Sequence, residues 1–145
     1  MAAAERMFGG RCSDDDFCYF SLWMVGLGED SFGRALADAD ALDDAPEVQH
    51  LAGRTWTGWG EDWPGWELLD YVALEAHGLV AGDPDECGDA FHAAVKAQQG
   101  ENLITRGPAG ERWDVRDEGE AARRLPRLSV MFPLSADSLR ICQLR

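Results

Sequence analysis

The sequence predicts a mainly α protein, a compact single helical domain of about five helices over residues 1–145, with room for one short β-hairpin. Three observations carry that expectation. A Ser-Asp-Asp-Asp start at Ser13 leads into an apolar run at helical spacing, and prolines and glycines recur where helices would begin and stop. Only the stretch Glu101 to Val115, around "GPAG", has β-compatible pieces. A chain of 145 residues is one ordinary domain, long enough to bury roughly two thirds of the surface its unfolded form exposes.

The first helix has the clearest signature. Ser13 is placed to cap the backbone N–H groups of a first turn, and Asp14, Asp15 and Asp16 suit its positive dipole end, so a helix is expected from Asp14. Phe17, Phe20, Met24 and Leu27 recur on one side, Leu22, Trp23 and Val25 widen it, and Gly26 and Gly28 offer a stop. A helix this apolar is expected at the centre of the core. A second helix is expected over residues 30–39, with Phe32, Ala35, Leu36 and Ala39 on one side. Overlapping its end, "ADADALDDAPE" gathers Asp38, Asp40, Asp43, Asp44 and Glu47. Carboxylates there meet the negative end of a helix dipole, each at a cost of about a few tenths of a kcal/mol unless a cation or a partner compensates.

The stretch "WTGWGEDWPGWE", Trp56 to Glu67, holds four of the six tryptophans. Gly58, Gly60 and Pro64 argue against one continuous helical stripe, since the proline ring would clash with the carbonyl of Gly60. Proline suits a first turn, which puts a cap near Asp62, a third helix over residues 63–77 and a stop at Gly78, with Trp66, Leu69, Val72 and Ala76 as its core face. Trp56 and Trp59 fall in the glycine-rich connection before it. They either fold back as a lid over the core or stay partly exposed to a ligand, and the lid is the preferred reading because large indoles are mostly buried. Asp83 and Pro84 announce a fourth helix up to Gly100, with a small buried face that includes Phe91, Ala94 and Val95. A fifth is expected from Asp117 to Leu125, broken by Pro126, and the tail from Leu128 is apolar with Arg140 and Arg145 as basic punctuation.

The 27 acidic and 13 basic side chains give a net charge of −14, which disfavours direct contact with nucleic-acid phosphates or anionic lipid. No apolar run approaches the ~20 residues of a membrane helix, and "MAAAERMFGG" does not read as a secretory signal. The expectation is a soluble cytoplasmic protein. Cys12, Cys18, Cys87 and Cys142 form no CxxC pair or zinc spacing, so reduced thiols are the default.

The run "GGRCSDDDFCYFSLWMVGLGEDSFGRALADADAL", Gly9 to Leu42, resembles the bacterial domain of unknown function 4240. That family's pattern joins a glycine pair, a Ser-Asp-Asp helix start, a Phe-rich helix with a Trp, and a glycine stop. "ELLDYVALEAHG", Glu67 to Gly78, is similar to the family's second helix, with Tyr71, Val72, Ala73, Glu75 and Ala76 in its positions, and "WDVRDEGEAARRLPRL", Trp113 to Leu128, is similar to a C-terminal segment of some members. Ser21 stands where the family usually has an arginine. The resemblance implies a mostly helical bacterial cytoplasmic domain and nothing about catalysis.

The candidate sites are few. Asp14, Asp15 and Asp16 beside a helix start have the oxygen ligands a divalent metal prefers, but a capping serine with first-turn acids already explains every residue type there, and no metal or cofactor is expected. Cys12, just before that helix, is placed for its thiol pKa to be lowered by the dipole, although a small apolar residue under the helix is the simpler reading. His50, His77 and His92 sit in no ligand pattern, and there is no GxSxG or Walker motif. Two functions follow as expectations. One is a non-catalytic accessory or immunity-type module that presents Asp38, Asp40, Asp43, Asp44, Trp56 and Trp59 to a basic protein partner. The other is a small enzyme or ligand-binding protein of secondary metabolism, whose carboxylate- and Trp-lined pocket lies between the first helix and the tryptophan connection and uses Asp14, Asp15 and His77 or Cys12.

Overall fold

In the computed structural model, which describes residues 1–82, 88–99 and 111–134, all regular structure is helical. The described residues form eight α-helices: α1 (Ala2–Met7), α2 (Asp14–Gly26), α3 (Glu29–Ala37), α4 (Pro46–Leu51), α5 (Glu67–Ala81), α6 (Asp89–Gln99), α7 (Glu118–Arg124) and α8 (Pro126–Met131). Short 3-10 turns lie at Ala39–Asp44, Trp56–Gly58 and Gly60–Asp62. The mainly α class is as expected, with more and shorter helices. Two compact units divide the chain, Met1–Gly65 with Arg112–Arg145, and Trp66–Glu111.

The core of the first unit gathers around α1 rather than α2. Ala3, Ala4, Met7 and Phe8 are buried there with Val48 and Leu51 of α4 and Leu128 of α8. Of the thirteen residues of α2 only Phe20 is fully buried, and Val25 and Cys18 are exposed. Its apolar residues lie on more than one side of the helix, and a core can cover one side only. Phe17, Trp23 and Met24 therefore flank the core half-buried.

The ends of these helices follow local chemistry. At the start of α2 the Ser13 Oγ accepts from the Asp16 N–H at 3.0 Å, and the Asp16 carboxylate accepts from the Ser13 N–H at 3.0 Å, a reciprocal capping box. Gly28, at φ +87°, turns the chain from α2 into α3 through a conformation that side chains rarely adopt. Helix α3 stops at Ala37 because Asp38 turns extended and its side chain accepts from the Asp40 N–H, capping the next 3-10 turn instead. Both α4 and α8 carry proline in the first turn, where its missing N–H costs nothing. Pro126 thus both ends α7 and opens α8.

In the second unit, α5 and α6 meet through His77 and Phe91, whose rings lie edge to face at 5.7 Å. The expected helix over 63–77 is corrected to Glu67–Ala81. Pro64 is buried ahead of it, Gly78 lies inside it, and Gly82, left-handed at φ +69°, is what ends it. An internal glycine costs only ~1 kcal/mol, too little to stop a helix that continues through Leu79 and Val80. The expected core face is also overturned, since Trp66, Val72 and Ala76 are exposed and Leu69 is half-buried. The expected helix start at Asp83 and the hairpin centre at "GPAG" lie outside the described residues, as do Arg140 and Arg145. No strand occurs among the described residues, and no helix there is long and apolar enough to cross a membrane.

Candidate functional site

The acidic cluster after α3 finds its compensating charge within the same unit. Asp40, 4% exposed, accepts from the backbone N–H groups of Arg127 at 3.0 Å and Leu128 at 2.9 Å, and from Arg127 Nε at 3.1 Å. These amides are first-turn donors of α8, and its own N-cap residue, Leu125, has no side chain able to satisfy them. Asp40 therefore caps a helix 87 residues away in sequence. Arg127 reaches Asp43 at 2.7 Å and Asp44 at 3.3 Å as well. Asp43 Oδ1 makes no directed hydrogen bond, so its contact with Arg127 is an ion pair only. Burial pushes the Asp43 carboxyl above the usual range, against the pull of Arg127, while the Asp40 hydrogen bond raises the Arg127 pKa. Asp38 and Asp44 remain exposed.

The tryptophan connection is held by Arg54. Its guanidinium donates to Asp62 Oδ2 at 2.7 Å and to the Gly58 carbonyl at 2.9 Å, and His50 adds a contact to Asp62 at 3.5 Å. Asp62 is consequently held below the usual carboxylate range, first by its hydrogen bond with Arg54. The staple turns Trp59 inward. At 1% exposure it packs against Phe8, Trp63 and Phe132, with ring centroids 5.7 to 6.2 Å away, while Trp63 stacks on Phe8 at 4.7 Å. Trp56 is half-buried against Trp63.

Asp14 and Asp15 are exposed on the first turn of α2, and His77 belongs to the second unit. The thiol lowered by the helix dipole, the lesser of the two readings of Cys12, is opposed by its surroundings. Burial, and then the nearby carboxylates of Asp16 and Glu5, push its thiol up to about 12, so it is protonated at neutral pH. Among the described residues no group of three or more His, Cys, Asp or Glu could hold a metal ion. A cleft of about 470 Å³ lies elsewhere in the first unit, lined by Glu5, Gly10, Trp113, Asp114 and Arg116 among others.

Sequence reasoning missed Arg6. It is 1% exposed, yet it donates to both Glu118 oxygens at 3.0 and 2.9 Å and to the Val115 and Ser129 carbonyls at 3.1 Å. Its place between apolar Ala3, Ala4 and Met7 was the available signal, since an arginine on the buried side of a helix needs partners there. Also missed was the outer face of α5, where Leu68, Val72, Leu79 and Val80 are all exposed.

These features define a mainly helical protein whose buried charges are spent on its own chain closure. The chain belongs to the family described as Protein of unknown function (DUF4240), whose model matches residues 1–78. The match takes in the first two segments of the resemblance and stops short of Trp113 to Leu128. No curated protein and no solved structure matches the chain.

Proposed function

We propose that this chain is a non-catalytic protein-interaction module, and that α5 is its contact surface. The observation that supports this reading is the burial of α5: it has fifteen residues, most of them apolar, and not one is buried. Leu68 is 73% exposed, Leu79 85% and Val80 90%. Several large apolar side chains left in water on one helix are the usual mark of an interaction site. Burying each such side chain in a complex is worth roughly 1.5–3 kcal/mol.

The acidic residues then act at longer range. Asp40 and Trp59 are inside, which leaves Asp38, Asp44, Glu47 and the edge of Trp56 as surface, and the net charge of −14 steers a basic partner by field more than by contact. The test is co-purification after crosslinking from the protein's own cells, comparing the tagged chain with a Leu79→Asp variant of equal thermal midpoint. A discrete partner recovered with the first, lost from the second and released by salt supports the module. Identical recoveries from both would sink it.

A further inference from the structure

We infer that the partner seated on α5 is an amphipathic helix carrying a lysine or arginine within its apolar stripe, an inference that rests on the interaction reading above. At 100° per residue, Leu68, Val72, Glu75 and Leu79 fall within a sector about 60° wide, with Tyr71 on one margin and Ala76 and Val80 on the other. The opposite side of α5 is taken up within its own unit. His77 meets Phe91 there, and a Cβ placed on Gly88 would lie 3.1 Å from Leu74. The outer stripe from Leu68 to Leu79 is about 16 Å long, three turns of a facing helix.

Charge selects the occupant. Helix α5 carries Glu67, Asp70 and Glu75 and no lysine or arginine. Glu75 sits inside the apolar stripe, is exposed, and forms no ion pair with a described residue. A facing helix must supply a cation at that point or bury an unpaired carboxylate, which is costly. A second copy fits poorly: two α5 helices crossing near the middle of the stripe bring Glu75 toward Glu75, on chains that each carry −14. An anionic membrane is repelled by the same charge.

The test uses three synthetic eighteen-residue peptides with one leucine stripe, carrying at its centre either lysine, glutamate or glutamine. Binding to the full chain is read by anisotropy of the labelled peptide, with circular dichroism confirming that each protein variant keeps its helix content and midpoint. The lysine peptide is expected to bind at least about tenfold tighter than the glutamate peptide, and to weaken with salt. Leu79→Asp is expected to weaken it about tenfold or more, and Glu75→Lys to reverse the preference toward the glutamate peptide. Because both positions are exposed, neither change threatens the fold.

Equal binding of the three peptides, or of none, overturns the inference. So does a dimer by sedimentation that Leu79→Asp dissolves, which would make a second copy the occupant, or α5-dependent binding to phosphatidylcholine vesicles. Failure here stays distinct from failure of the module. A native partner lost with Leu79→Asp, together with peptides that show no charge preference, keeps the module and discards the basic helix.

Discussion

Replacing Asp40 by alanine tests the long-range cap directly. The change removes the acceptor for two first-turn amides of α8 and for Arg127 Nε. Loss of a helix cap costs about 1 kcal/mol, within a range of about 0.5–2. The Leu128 amide is buried, and an orphaned buried donor adds about 1–3 kcal/mol. The ion pair itself adds little, because Arg127 is 43% exposed and keeps Asp43 and Asp44. The sum is about 2–4 kcal/mol. For a chain of this length each kcal/mol moves the midpoint by about 3–4 °C, so the expected drop is about 6–16 °C. Asp40→Asn should fall between, since its amide keeps one acceptor oxygen but turns donors toward a guanidinium that needs acceptors. The assay is thermal unfolding by near-ultraviolet circular dichroism, with Asp44→Ala as the exposed control. If Asp40→Ala lowers the midpoint no further than that control, the cap is not what holds α8.

Three other outcomes are expected. In a double-mutant cycle on Arg6→Met and Glu118→Ala, urea unfolding should return a coupling of about 2 kcal/mol, and a value near zero would mean that the carbonyls alone carry Arg6. Trp59→Ala should cost about 3–5 kcal/mol, whereas Trp59→Phe should cost far less, because the buried Nε1 hydrogen has no acceptor and its removal is a gain. Similar losses for the two variants would count against ring packing as the source. With Cys12 as the sole cysteine, alkylation of the folded chain at pH 8 should run more than about a thousandfold slower than in urea, since the thiolate fraction falls with the raised pKa. Comparable rates would refute the burial argument.

The parts of this fold that were legible in the sequence are those set by neighbours three or four residues apart. Ser13 and Asp16 make a box within one turn, and Asp117 caps α7 through Gly119 and Glu120, so both helix starts could be read. Pro46 and Pro126 carried an equally local signal, but their helices are six residues each, too short for a period to show. Trp59 could be placed as a lid because an indole seldom stays in water, yet the arginine that folds it inward belongs to no motif. The acidic cluster shows the limit most clearly. Its charges left a cation of the chain or a partner open as compensation, and the cation, Arg127, lies 87 residues further along the chain, where no spacing rule connects them. The exposed face of α5 was hidden for a related reason. Apolar residues at helical spacing look the same whether they face a core or water.

Because the first unit is closed by residues from both sides of the second, its completion is tied to the order of synthesis. When Gly65 has been made, Arg6 is without the Glu118 carboxylate and Asp40 without its amides, and Leu128 is still 63 residues away. At about 5–20 residues per second that interval lasts roughly 3–13 s. During it Arg6 and α1 lack their partners from α7 and α8, and once Gln99 has been made α5 and α6 can pair before those partners exist. The later-encoded helices of the second unit can therefore form before the earlier-encoded core is sealed.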